Sequence, residues 1–426
     1  MGRATAVDGV LDVPVIDISA WTDGTAADRA GIAGEIDQAA RTVGFMQIRG
    51  HGIPEAAGRA FAAALDGFFG LPMDEKKALC PPSPDVNRGY TPPRTEKLSL
   101  SLGVPAAAED LFEAFNVGAE AAAFPGLGLP EAHYPANLWP AVPGFRDAVT
   151  EWCAQAGGLA RRLTGIFAHA LGLPVDYFAP FTDHSLDVLR MNHYLVPEQE
   201  LAVDRDQMGM GAHTDYGIVT VLWADRVPGL QILDTEGRWH DVLPEPGCLL
   251  VNLGDLLARW TNDQWLSTMH RVLPPTDASG RVVRRRSAAF FHDGNWDAEI
   301  SCLPGCVPVG ADPLYPPTTV GRHLAEKLGG SRAGSPTPTR RAKPPGCSLP
   351  AATDINAPVP QVSCDRPAPH RQGGCFPHRP APPCPRGSVM ALTPRRAPAP
   401  PRPVRQTPPR TPVSGGPWAS GCSTHW

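Results

Sequence analysis

Hydrophobic residues in the first half of the chain recur at helical spacing. One segment has them at Ile32, Ile36, Ala39 and Val43, and a second segment, which follows Pro54, has them at Phe61, Leu65 and Phe68. A longer stretch runs from Phe145 to Leu171, with Gly157 and Gly158 as candidate positions for a kink or a break. Apolar residues three and four apart lie on one face of a helix. The pattern therefore predicts three amphipathic helices, which flank a less regular segment at residues 80–135.

From about Leu189 the period of the pattern changes to two. Short runs bounded by Gly, Pro and Asp follow one another, namely VLRMNHYLV, GIVTVLWA, GLQILD, RWHDVLP, GCLLVNLGD, HRVLPP and RRRSAAFFHD. Short alternating strands with regular turn signals are typical of antiparallel barrels and double-sheet jelly rolls. We predict a mainly β protein with flanking helices, in which a double-stranded β-helix (jelly-roll) core packs against a helical N-terminal region.

Composition separates the last part of the chain from the rest. Residues 331–426 carry 13 Lys and Arg against 2 Asp and Glu, whereas residues 1–330 carry 25 against 41 and a net charge of −16. The same tail holds 23 of the 50 prolines and shows no apolar period. Such a composition is typical of disorder, and a shifted reading frame of GC-rich DNA would also give it. We predict a helix-rich region at 1–135, a helix with the jelly-roll core at 136–330, and a disordered tail at 331–426.

The remaining bulk properties favour a soluble protein of a reducing compartment. The sequence contains no run of about 20 apolar residues and no basic-then-apolar leader at its start, so we expect no membrane partner and a cytoplasmic location. The ten cysteines are scattered without a C-x-x-C pair, which favours free thiols over a zinc or redox site.

A histidine and a carboxylate lie two residues apart in the segment GAHTDYG. In an extended chain, His213 and Asp215 project to the same side while Thr214 projects to the other. This arrangement suits a polar strand edge or turn, and it also suits two ligands of a metal site. His270, in TMHRVLPP, could complete a set of two histidines and one carboxylate, which leaves three positions open on Fe(II).

A second candidate site is the segment VVRRRSAAFF. In a strand, Arg285 and Ser287 lie on one face and Arg286 on the other. Pointing inward, the guanidinium and the hydroxyl would offer a fork of donors to a carboxylate. The alternative is that these arginines are solvated on an edge strand.

The order H-x-D, H and R-x-S resembles the iron(II)- and 2-oxoglutarate-dependent dioxygenases of the isopenicillin N synthase-like family. The resemblance covers nearly all of residues 12–329. It includes VPVIDIS, GFMQIRGHGIP and NRGYTPP in the N-terminal region, and LRMNHYLVP, HTDYGIVTVLWADRVPGLQIL, WHDVLPEPGCLLVNLGD, STMHRV and RRSAAFF in the core. So many matching segments in the same order make the resemblance specific.

The resemblance implies the site and its cofactors. The iron ligands would be His213, Asp215 and His270, and the residues that bind the cosubstrate 2-oxoglutarate would be Arg285, Ser287, Tyr194 and Asn192. Fe(II), 2-oxoglutarate and dioxygen would together oxidise a small organic molecule, by hydroxylation or desaturation, with release of succinate and CO2. We expect a small-molecule substrate and no nucleic acid partner. The alternatives are a 2-oxoglutarate-independent iron oxidase of the isopenicillin N synthase type and an inactive barrel that serves as a binding module.

Overall fold

The structure is a computed structural model that describes residues 12–83, 86–95, 110–194, 208–275 and 283–333. Contacts place all of these residues within one compact unit. In the described part of the chain, no helix is long and apolar enough to cross a membrane.

The larger of two main sheets has eight strands in the spatial order β1-β2-β10-β7-β12-β5-β4-β3. These strands are β1 (Val15–Asp17), β2 (Phe45–Arg49), β3 (Gly89–Thr91), β4 (Glu113–Gly118), β5 (Val188–Tyr194), β7 (Val219–Ala224), β10 (Leu249–Leu253) and β12 (Arg285–His292). Only β1 and β2 pair in parallel, and the other neighbours are antiparallel.

The smaller sheet has four antiparallel strands in the order β6-β11-β8-β9. They are β6 (Met210–His213), β8 (Leu230–Leu233), β9 (Trp239–Asp241) and β11 (His270–Val272), and a separate pair is formed by β13 (Glu299–Ile300) and β14 (Thr318–Thr319). Both main sheets contribute residues to the wall of one cavity, so the cavity lies between them.

Side chains along β12 point alternately toward the cavity and toward the apolar core. Arg285, Ser287, Ala289 and Phe291 line the cavity, whereas Phe290, between two of them, belongs to the apolar core on the helical side. Successive strand residues point to opposite faces, so a single strand serves both surfaces.

The described α-helices differ in what they cover, since the longest packs against β7 and β12 of the larger sheet and the last one lines the cavity. They are α1 (Ala20–Asp23), α2 (Ala26–Thr42), α3 (Glu55–Phe69), α4 (Met73–Lys77), α5 (Phe145–Ala170), α6 (Asp255–Trp260) and α7 (Val320–Ala333). Helix α5 runs through Gly157 and Gly158 without a break. A Cβ at Gly157 would lie 3.2 Å from the Phe290 ring, so the glycine allows the helix to pack closely against β12.

The architecture confirms the predicted jelly-roll core with packed helices. The pattern did not predict β1 to β4, of which β3 and β4 lie in the segment expected to be irregular. Helix α7 continues to Ala333, three residues past the boundary predicted for the tail. The rest of the predicted tail, residues 334–426, lies outside the described residues.

Phe68 tests the packing between the helices and the larger sheet. Its side chain is fully buried and contacts the rings of Phe69, Tyr90, Phe115 and Phe145. Because truncation would leave a cavity that the rings cannot fill, Phe68→Ala should lower the free energy of unfolding by about 3–5 kcal/mol. Urea denaturation followed by circular dichroism measures this change.

The matched control is Leu127→Ala, which removes an exposed side chain and should cost less than about 0.5 kcal/mol. Equal stabilities for the two variants would contradict the packing described here.

Candidate metal and cosubstrate site

Two neighbouring strands of the smaller sheet bring the two histidines together. His213 ends β6 and His270 begins β11, and the two residues are directly paired in the antiparallel register. Their ring centroids are 4.3 Å apart. Nδ1 of His213 lies 2.8 Å from the carbonyl oxygen of Gly211, and Nδ1 of His270 lies 3.2 Å from that of Thr268. A carbonyl oxygen can only accept, so each Nδ1 donates, and this tautomer directs Nε2 of each ring toward the cluster as the atom that would bind a metal ion.

Asp215 follows β6 and places its carboxylate against both rings. Its Oδ1 lies 3.9 Å from Nε2 of His213 and 3.7 Å from Nε2 of His270. One ligand atom from each residue falls within 4.8 Å of the other two, and all three residues are buried. A six-coordinate ion held by these three atoms would keep open positions, as a facial triad of two histidines and one carboxylate does.

Two residues of the larger sheet hold the other oxygen of Asp215. Thr220 Oγ1 donates a hydrogen bond to Oδ2 at 2.5 Å, and Asn252 Nδ2 donates another at 2.6 Å. The two donors are paired in register across β7 and β10. Outer contacts of this kind fix the orientation of a metal ligand. Sequence analysis missed both residues, although each is a polar residue inside an apolar strand.

The loop that carries Asp215 is fixed through backbone contacts with α6. The N–H of Asp255 donates to the carbonyl oxygen of Asp215 at 2.8 Å, and the N–H of Gly254 donates to that of Ile218 at 3.0 Å. A Cβ at Gly254 would lie only 2.2 Å from the carbonyl oxygen of Gly217, so only glycine permits this approach.

The protonation states of the cluster suit a cation. Burial, assisted by repulsion from His270, lowers the pKa of His213 to about 4, so its imidazole is neutral at pH 7. Burial alone would raise the pKa of Asp215, but the neighbouring histidines and the hydrogen bonds from Asn252 and Thr220 outweigh it and lower that pKa. A neutral imidazole and an ionised carboxylate are the forms that bind metal.

The predicted cosubstrate residues form a second group on the larger sheet. Arg285 is paired with Tyr194 and Ser287 with Asn192 across β12 and β5, and all four line the cavity. Arg285 is 2% exposed, its Cζ lies 5.1 Å from the centroid of the Tyr194 ring, and its Nη1 has no hydrogen-bond partner among the described residues. A buried guanidinium nitrogen without an acceptor is costly, and an anionic ligand would satisfy it.

The cavity that joins the two groups has a volume of about 1280 Å³. Beyond the residues already named, its wall includes Arg190 on β5 and Asp293 just after β12. Nε of Arg190 donates to Asn192 Oδ1 at 3.3 Å, and Cζ lies 5.1 Å from the centroid of the Phe112 ring. Burial, followed by repulsion from Asp187 and Asp215, raises the pKa of Asp293 well above its usual range.

Other histidines with neighbouring carboxylates form structural hydrogen bonds. They are His184 with Asp183 and Asp297, His193 with Glu113, His240 with Asp234, and His292 with Asp187. In the part of the chain that the structure describes, the only group with metal-binding geometry is the cluster of His213, Asp215 and His270.

Two segments of the chain match models of known protein families. Residues 13–142 match the family model described as the N-terminal domain of the non-haem dioxygenase in morphine synthesis. Residues 186–294 match the model of the 2OG-Fe(II) oxygenase superfamily. The second match contains the strands and loops that carry His213, Asp215, His270 and Arg285.

Individual relatives agree with these matches. The 2-oxoglutarate-Fe(II) type oxidoreductase hxnY of Emericella nidulans is 36% identical over 72% of this chain and 86% of the relative. Validamycin A dioxygenase of Streptomyces hygroscopicus subsp. limoneus is 33% identical over 74% of this chain and 85% of the relative. A full-length Neurospora crassa protein crystallised in complex with alpha-KG is 29% identical, with a TM-score of 0.66 over 77% of this chain and 99% of that protein.

These findings favour the 2-oxoglutarate-dependent oxygenase over both the cosubstrate-independent oxidase and the inactive binding module. The cluster of His213, Asp215 and His270 has ligand atoms that fit Fe(II). The guanidinium of Arg285, whose Nη1 has no partner among the described residues, fits a carboxylate of 2-oxoglutarate. The chain belongs to the 2OG-Fe(II) oxygenase superfamily and is a dioxygenase that uses Fe(II), 2-oxoglutarate and dioxygen to oxidise a small molecule.

Proposed function

We propose that His213, Asp215 and His270 bind the Fe(II) of this dioxygenase, and that Arg285 and Ser287 bind the distal carboxylate of 2-oxoglutarate. Tyr194 and Asn192 would complete the wall around the cosubstrate. The observation that carries the proposal is the convergence of one carboxylate oxygen and two imidazole Nε2 atoms in a buried cluster. The buried Nη1 of Arg285, on the opposite sheet of the same cavity, supports the second half of the proposal.

The residues of this chain would contribute binding and orientation to the reaction. When bound, Fe(II) supplies open positions at which 2-oxoglutarate and dioxygen react, which yields succinate and CO2 and oxidises the substrate by hydroxylation or desaturation. Arg285 offers paired donors in a fixed plane, which orient a carboxylate better than a lysine would. Thr220 and Asn252 keep Oδ2 of Asp215 occupied, so that Oδ1 faces the ion.

The substrate proposed here is a small organic molecule held in the remaining part of the cavity. Relatives named validamycin A dioxygenase and proline hydroxylase buaE support this size class, as does the Neurospora crassa protein, which was also crystallised with alpha-KG and thymine. We also propose a cytoplasmic location, which the free thiols of the described cysteines support, and domain boundaries near residues 135 and 330.

Cosubstrate binding to iron gives the most direct test of these roles. Titration of the Fe(II)-loaded protein with 2-oxoglutarate, without oxygen, should produce a saturable visible charge-transfer band. His213→Ala should abolish the band because an iron ligand is lost. Arg285→Ala should raise the dissociation constant for 2-oxoglutarate about tenfold to a hundredfold, because charge-assisted hydrogen bonds to the carboxylate disappear.

Arg284→Ala is the matched control, since Arg284 is the exposed neighbour of Arg285 and pairs with Asp66. An Arg285→Ala titration that coincides with that of Arg284→Ala would rule out the proposed anchor.

The hydrogen bonds to Asp215 Oδ2 generate a separate prediction. Asn252→Ala and Thr220→Val should each weaken Fe(II) binding about 10-fold to 100-fold, because Asp215 loses a donor that fixes its orientation. Competition with a chromophoric chelator measures the affinity.

Thr214→Val controls for loss of a hydroxyl beside the site, since Thr214 Oγ1 donates to Asp255 and not to Asp215. If all three variants bound iron with wild-type affinity, the proposed role of the two donors would be wrong.

A further inference from the structure

Asp293 occupies a distinctive place in the cavity wall. It directly follows β12 and continues the inward row of that strand, two residues beyond Phe291. A Cβ at Gly217 would lie 1.9 Å from Oδ1 of Asp293, so the carboxylate fills the space that this glycine leaves. The chain thus places an acidic group in the same cavity as the proposed iron site, at the opposite end of the β12 row from Arg285.

The Asp293 carboxylate accepts no hydrogen bond from any described residue. The two carboxylates that repel it are both satisfied. Asp187 accepts from Ser185 and pairs with His292, and Asp215 accepts from Thr220 and Asn252. Asp293 is only partly buried and lines the cavity, so its carboxylate is within reach of a ligand there. Asp293 therefore differs from its two acidic neighbours in lacking a partner within the described part of the protein.

The charges that act on Asp293 most strongly are those of Asp187 and Asp215, and both are negative. The cavity wall also contains apolar side chains, among them Leu186, Val188, Phe291 and Leu324. A cation bound beside Asp293 would offset this repulsion and stabilise the ionised form of its carboxyl group.

We propose that Asp293 binds a protonated amine on the substrate, an inference that rests on the proposed function because it concerns the substrate of the same site. An ammonium group supplies up to three donors and one positive charge, which match an unpartnered carboxylate. The substrate class is thus a small organic amine, with its nitrogen at Asp293 and the carbon to be oxidised toward the iron ligands.

The test compares matched probes on the anaerobic protein loaded with Fe(II) and 2-oxoglutarate. The probe pairs are cyclohexylamine with cyclohexanol, benzylamine with benzyl alcohol, and piperidine with tetrahydropyran. The dissociation constant of each probe is measured from its effect on the charge-transfer band. At least one amine should bind about tenfold or more tightly than its neutral partner, because only the amine pairs with the Asp293 charge.

Two variants assign that preference to the carboxylate. Asp293→Asn keeps the shape of the side chain and removes its charge, so the preference for the amine should disappear, and Asp293→Ser provides a second substitution should the first fail to fold. Asp297→Asn is the matched control. Asp297 lies on the same segment, its side chain is 72% exposed, and it pairs with His184, so this variant should retain the preference.

The outcomes separate this inference from the proposed function. Absence of the 2-oxoglutarate band in the wild type means that the proposed function fails. A normal band with no preference for any amine, or a preference that survives in both Asp293 variants, overturns the assignment of Asp293 while the proposed function stands.

Discussion

Two hydrogen bonds from the larger sheet, donated by Thr220 and Asn252, hold Oδ2 of Asp215 and direct Oδ1 toward the histidines of the smaller sheet. The carboxylate is 6% exposed, and burying it without such donors would be expensive. The geometry of the metal site therefore depends on the registers of both sheets. Pairing of β7 with β10 brings the two donors side by side, and pairing of β6 with β11 brings the two rings together.

The two sheets also contribute different groups to the rest of the cavity. The proposed iron ligands belong to the smaller sheet and the loop that follows β6, whereas Arg285 and Ser287 belong to β12 of the larger sheet. Each end of a bound 2-oxoglutarate would thus contact a different sheet, and the proposed substrate site at Asp293 continues the inward row of β12. Because strand alternation sets this row, one strand would supply both the proposed anchor for the cosubstrate and the proposed contact for the substrate.

Alternation and motif spacing predicted the jelly-roll core, because a period of two depends only on neighbouring residues. The short strands β1 and β3, of three residues each, carry too little pattern to be recognised. The spacing of His213 and Asp215 indicated a shared volume. The R-x-S spacing left an inward Arg285 and a solvated edge strand as alternatives, and the family resemblance favoured the inward Arg285. The role of Asn252 could not be predicted, since its contact with Asp215 spans 37 positions and requires the registers of both sheets. That Asp293 accepts no hydrogen bond from the described residues likewise emerges only from their positions in the structure.

The measurement that tests the central claim most directly is anomalous scattering at the iron edge from crystals grown without oxygen in Fe(II) and 2-oxoglutarate. We expect one strong anomalous peak for an iron ion bound by Nε2 of His213, Nε2 of His270 and Oδ1 of Asp215. The far carboxylate of 2-oxoglutarate should accept hydrogen bonds from Arg285. Thr220 and Asn252 should still donate to Oδ2. A peak outside this cluster, or 2-oxoglutarate bound without Arg285, would contradict the account.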